Sequence, residues 1–150
     1  MDRIDRKLLN LLQQDASRTN VDLADAVGLS PSSCLRRVQR LRTSGIIDRI
    51  VARLNPAKTG RVLKALVTVE LKLHGDHHMR RFLALATAEP AVSQAYAVTG
   101  ETDVVLILSL RDMDEFDALC DRLFRYQTNV GRFFTMMVIR TAKDETAIPL

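Results

Sequence analysis

The chain has 150 residues, 47% hydrophobic and 27% charged, with a net charge of +4 and two cysteines. That is the balance of a folded globular protein of one medium or two small domains, and it excludes a disulfide-rich secreted scaffold. No apolar run approaches the ~20 residues of a membrane-spanning helix, and the charged opening Met1-Asp2-Arg3-Ile4-Asp5-Arg6-Lys7 is unlike a signal peptide, so no membrane partner and a cytoplasmic location are expected.

The basic excess is one-sided. Residues 1–60 hold 11 Lys and Arg against 6 acids, and residues 61–150 hold 11 against 12. This asymmetry predicts an N-terminal unit that binds a polyanion, joined to a near-neutral unit of another purpose. Cys34 and Cys120 stand alone on apolar helical stripes, which predicts buried thiols in a reducing compartment. Neither a metal nor a cofactor is expected.

From Asp2 to Asp15 the residues Ile4, Leu8, Leu11 and Leu12 recur at helical spacing, and Asp2 and Asp5 suit the positive helix start. A second helix is predicted from an N-cap at Asn20, with Leu23, Ala24 and Val27 inward and Gly28 ending it. Ser30 before Pro31 marks a third start, since proline fits the first helical position without losing a needed donor. On a wheel from Pro31 to about Thr43, Ser32, Ser33, Arg36, Arg37, Arg40 and Thr43 fill one side. Cys34, Leu35, Val38 and Leu41 fill the other. Arg42 falls on the apolar side and is expected to snorkel or to mark the helix end. A small residue, a glycine turn and a capped helix rich in Ser and Arg is the order of a helix-turn-helix.

Residues 46–54, with short β-favouring pieces and interspersed charges, are expected to form a wing hairpin. Residues 55–60 have linker chemistry. The N-terminal domain is therefore placed at 1–60 and a second domain at 61–150. The expected DNA-binding residues are Ser30, Ser32, Ser33, Arg36, Arg37 and Arg40 on the recognition helix, with Arg49 and Arg53 beside the groove. Serines and Arg36 near the helix start can meet base edges, whereas the arginines as a set neutralise phosphate.

The second half alternates from Val62 to His74 as a strand buried on one face. A helical stripe follows from His77 to Ala88, then strands at 92–99 and 104–110, a helix around Phe116 to Leu123, and a strand at 132–141. The order β-α-β-β-α-β is the split or ferredoxin-like arrangement, so the fold class is α+β. Its helices cover one sheet face. Because residues 104–108 and 133–139 are apolar on both faces, the other face needs a partner, most simply a second copy of the sheet.

The joint order of Ile4-Asp5-Arg6-Lys7-Leu8-Leu9, Leu23-Ala24, Gly28-Leu29-Ser30, Arg37-Val38-Gln39-Arg40-Leu41, Gly45-Ile46-Ile47 and Thr99-Gly100-Glu101-Thr102-Asp103 resembles the Lrp/AsnC family of bacterial and archaeal transcription factors over essentially the whole chain. The resemblance implies a nucleoid-associated regulator of double-stranded DNA. It also implies dimers built by the C-terminal sheets, often assembled to octamers, and an amino acid or related metabolite as effector. The family's effector pocket lies near the loop between the second and third C-terminal strands. Carried over, it comprises Thr99, Gly100, Glu101, Thr102 and Asp103, with Thr135 as a neighbour. Loop N–H groups can hold an α-carboxylate and an acid such as Asp103 an α-ammonium.

Two other classes compete. Some relatives of this architecture act as haem-precursor decarboxylases, but His74, His77 and His78 lack a completing ligand set, and no catalytic residues are expected. A DNA-organising protein without an effector shares every N-terminal feature.

Overall fold

The computed structural model describes residues 1–126 and 129–150 and resolves into two compact units, Met1–Arg53 with Ala142–Leu150, and Leu54–Thr141. The first contains α1 (Arg3–Gln14), α2 (Asn20–Val27) and α3 (Pro31–Thr43). Each start is fixed by a side chain that satisfies otherwise unpaired amides. Asp2 caps α1 in a reciprocal box with Asp5. Thr19, not Asn20, caps α2, because Thr19 can form the same box with Asp22; Asn20 is the first helical residue, and its side-chain Nδ2 donates to the Pro31 carbonyl at 2.6 Å. Ser30 caps α3 with Pro31 behind it, as the sequence predicts.

Between α2 and α3 the chain turns at Gly28, whose φ of 71° is open to glycine and strained for most other residues. The Leu29 amide then donates back to the Ala24 carbonyl at 2.9 Å. The core of this unit is small: Leu8, Leu23, Ala24, Cys34 and Val38 are buried, ringed by Ile4, Leu11, Leu12, Val27 and Leu29. Leu35, expected on the packed side of α3, is 45% exposed. It stands about 90° from the centre of the Cys34–Val38–Leu41 stripe, beyond what α1 and α2 cover.

The expected wing is absent: no strand pairing occurs within residues 46–54, and Ile50, Val51 and Leu54 are exposed. Its apolar pieces are two residues long and are separated by Asp48-Arg49, which lacks the glycine or asparagine that a two-residue hairpin turn uses. This first unit instead gains residues 142–150, which the boundary expected from the sequence assigns to the second domain. The Ile148 amide donates to Gln13 Oε1 at 2.7 Å, and Gln13 Nε2 donates to the Ile148 carbonyl at 3.1 Å. Residues 55–60 are also more than a linker. Asn55 caps a single 3-10 turn, Pro56–Thr59, ended by Gly60, so the compact second unit begins at Leu54 rather than at residue 61.

The second unit runs β1 (Leu63–Leu71), α4 (Asp76–Ala88), β2 (Val92–Ala97), β3 (Val104–Leu110), α5 (Met113–Cys120) with a π turn at Asp121–Arg125, and β4 (Val130–Met137). The sheet order is β2-β3-β1-β4 with every neighbouring pair antiparallel. Alternation decides what is buried. Ala65, Val67 and Val69 of β1 and Val104, Leu106 and Leu108 of β3 pack with Phe82, Ala86, Leu119, Leu123 and Phe124. In the opposite phase, Leu66 pairs with Ile107 and Met136, and Thr68 with Val105 and Phe134. That face carries Tyr96, Phe134 and Met136 about half exposed.

Candidate functional site

The serines and arginines of α3 do not form one uniform cationic face. At the helix start, Ser30 Oγ donates to Ser33 Oγ at 2.9 Å and lies 3.3 Å from Ser32 Oγ, so three hydroxyls cluster around the cap. Arg36 is exposed, and its only hydrogen bond among the described residues is a long one, 3.4 Å, to Ser33 Oγ. Leu29, Ser33, Arg36, Arg37 and Arg40 line a shallow groove of about 380 Å³.

Arg37 and Arg40 are engaged within the protein. Arg37 NH1 donates to Asp2 Oδ2 at 2.6 Å and to Asp5 Oδ1 at 2.9 Å, and Arg40 NH2 donates to both Asp5 oxygens at 3.0 and 2.8 Å. Asp5 is the one buried polar or charged side chain among the described residues, 1% exposed. Removing a carboxylate from water is expensive, and cationic hydrogen-bond donors are what offset the loss. Burial alone would raise the Asp5 carboxyl, but the Asp2 amide, the Arg37 guanidinium and the Arg40 charge outweigh it and hold the group below its usual range. The Asp5 amide and then the Arg37 guanidinium hold Asp2 down to about 2. Reciprocally, hydrogen bonds from Asp2 and Asp5 raise the Arg37 guanidinium.

The two flanking arginines differ from one another. Arg53 pairs with Glu145 at 3.4 Å and with Asp144 at 3.7 Å, a consequence of the C-terminal residues joining this unit. Arg49 is 80% exposed and lies 3.9 Å from Asp48. Arg42 is exposed in the last turn of α3, in agreement with its expected place at the helix end.

In the second unit, the loop between β2 and β3 is closed by its own backbone. The Val98 amide donates to the Asp103 carbonyl and the Asp103 amide to the Val69 carbonyl, both at 3.0 Å, with Gly100 at φ 118° between. The Asp103 carboxylate accepts from the Leu71 amide at 2.7 Å and lies 3.5 Å from His74 Nδ1, so it ties the loop to the end of β1. Glu101 is exposed and Thr102 half-buried. Thr135 stands opposite Val67, on the strand across β1 from β3, and its Oγ is buried without a hydrogen-bond partner among the described residues. No hydrogen bond among the described residues joins it to the loop.

These two constellations occur in the order that a known family uses. Residues 1–42 match the AsnC-type helix-turn-helix domain, and residues 64–148 match the Lrp/AsnC ligand-binding domain. The chain belongs to the Lrp/AsnC family of transcriptional regulators. It is 35% identical to the leucine-responsive regulatory protein of Rhizobium meliloti over 100% of this chain and 96% of that one. It is 33% identical to the DNA-binding transcriptional activator DecR of Escherichia coli K12, over 100% and 99%. Among solved structures, an AsnC family regulator from Agrobacterium tumefaciens superposes with a TM-score of 0.93 at 31% identity, covering 99% of this chain and 97% of that one. The L-methionine complex of a transcriptional regulator from Neisseria meningitidis gives 0.93 at 32%, covering 99% and 96%.

Like its relatives, this Lrp/AsnC chain is a DNA-binding transcriptional regulator with a ligand-binding domain. No helix among the described residues is long and apolar enough to cross a membrane, and no group of three or more His, Cys, Asp or Glu among them is placed to hold a metal. Reading the sequence misses the acidic partners of Arg37 and Arg40. A signal for one existed: Asp5 precedes Leu8 and Leu9 by three and four residues, which puts a charge on the inner face of α1. Such a position demands a cationic partner.

Proposed function

We propose that this regulator reads its operator through the N-terminal half of α3, with Ser32, Ser33 and Arg36 at base edges and Ser30 holding the helix start, and that an amino acid or related small metabolite modulates it through the loop at residues 99–103. The observation that carries the first part is the exposed Arg36, without a carboxylate partner among the described residues, beside a three-hydroxyl cluster at the entering end of the helix. Arg49 is the flanking cation best suited to phosphate; Arg37, Arg40 and Arg53 sit in ion pairs with acids of their own unit. A methionine-bound relative supports the effector class. Within the loop, Asp103 is already used by the Leu71 amide, which makes Glu101 the better receptor for an α-ammonium, with Thr99, Gly100 and Thr102 beside it. The half-exposed apolar sheet face supports a homodimer joined through it, and the resemblance to the family extends the proposal to an octamer. The chain works in the cytoplasm on the nucleoid and has no catalytic role.

Arg36→Ala is expected to weaken operator binding by roughly tenfold or more, the scale of one bidentate base contact. A band-shift titration across salt measures it, and wild-type affinity sinks the assignment of α3. Isothermal calorimetry of the full protein against the twenty amino acids tests the effector, and absence of heat with every one of them removes it.

A further inference from the structure

The arrangement of Asp2, Asp5, Arg37 and Arg40 bears on how the protein distinguishes an operator from other DNA. Non-specific affinity comes mostly from cations displacing counterions, with a salt slope of about 0.9 per phosphate neutralised. A recognition helix whose arginines were all free to reach phosphate would bind any duplex tightly. Here two of four arginines meet two carboxylates at 2.6 to 3.0 Å, a cluster of zero formal charge.

The acids cannot follow the arginines outward. Asp5 donates its amide to Asp2 Oδ1 at 2.8 Å, and Asp2 donates its amide to Asp5 Oδ2 at 3.1 Å, so both are locked by the helix cap they build. Nor is the pairing a loose surface contact. The Arg37 side chain is 27% exposed and that of Asp5 2%, which limits screening by salt. Arg40, at 59%, is the more accessible of the two.

We infer that Asp2 and Asp5 are specificity-determining positioning residues: by holding Arg37 and Arg40 against α1, they withhold two cations of the recognition helix from indiscriminate phosphate contact and leave sequence reading to Arg36 and the serines. The inference rests on α3 being the DNA-contacting helix. It adds a role for two acids beside the recognition helix and for a helix cap whose ordinary purpose is stability.

The test uses the full-length protein, a duplex selected from a random pool by the wild type, and a scrambled duplex of the same composition. With Asp2→Asn the salt slope on the scrambled duplex steepens by about 1 per subunit bound, and affinity for it rises several-fold at about 0.1 M salt. Affinity for the selected duplex changes less, so the specificity ratio falls. Asp2→Glu retains the wild-type slope. Arg37→Gln, with both acids in place, leaves the scrambled-duplex slope unchanged. A wild-type slope for folded Asp2→Asn overturns the inference, as does a fall of about 1 for Arg37→Gln, which would mean that Arg37 already neutralises a phosphate. Because Asp5→Asn threatens folding, the variants at Asp2 and Arg37 decide the outcome. Arg36→Ala in the same assay separates the failures: if it too leaves selected-duplex binding intact, the placement of α3 fails, whereas its loss with an unmoved Asp2→Asn slope defeats only the role of the acids.

Discussion

The two units bury their interiors by different means. Among its described residues the sheet unit gathers sixteen buried ones, all apolar, under two helices, and strand alternation together with the inward stripes of those helices decides which side chains enter. The helical unit buries seven apolar residues, Leu9 and Leu41 besides the five of its cluster, and sets a carboxylate with two arginines beside them. A three-helix unit has too little apolar area to fix its helices by packing alone, so caps and ion pairs supply part of the geometry. The difference teaches where each unit is vulnerable: the sheet unit to loss of volume, the helical unit to loss of charge or of a cap.

The largest effect that would sharpen this contrast is in the sheet. Leu106 has no exposure and pairs with Val67 in the register of β3 and β1, so Leu106→Ala is expected to destabilise that unit by about 2–5 kcal/mol. Denaturant unfolding measures it, and a loss under about 1 kcal/mol would mean that the core relaxes far more than its packing implies. A smaller effect tests the helical unit. Ser30→Ala removes the cap of α3 and should lower stability by about 1 kcal/mol, visible in the helical circular dichroism; no change would show the cap redundant beside Pro31.

The smallest effect is a pH dependence of the helical unit that runs through Asp2. Asp2 titrates at about 2 in the folded state, below its ordinary 3.8, because the Asp5 amide and Arg37 favour the carboxylate. A depressed folded value means that the stabilisation is complete above the ordinary value and is lost as pH falls through the folded one. The unit should therefore weaken between about pH 4 and pH 2, and Asp2→Asn should flatten that part of the profile. An unchanged profile in the variant would break the idea that charge holds this unit together.

Much of the fold is legible because its signals are local. Ser30-Pro31 marks the start of α3 within two residues, Gly28 supplies the left-handed turn, and the alternation along β1 assigns its faces without knowledge of a partner. Sequence and structure part where one local signal competes with another or has no support. Asn20 and Thr19 can both cap, and only Thr19 has Asp22 three residues on. Residues 46–54 have strand-forming composition but no hairpin turn and no pairing strand among the described residues.

The functional face divides in the same way. The place of its serines and arginines on one side of α3 follows from spacing along the chain, and the proposed effector loop at residues 99–103 from the resemblance to the family. Which of those arginines are held by acids was decided by tertiary structure, because the acidic partners lie some 32 to 35 residues away in sequence. The same holds for Arg53, paired with acids 91 and 92 residues on, and for Asp103, committed to the end of β1. Periodicity reports which side of an element a residue occupies; only the folded chain brings together charges that neutralise one another.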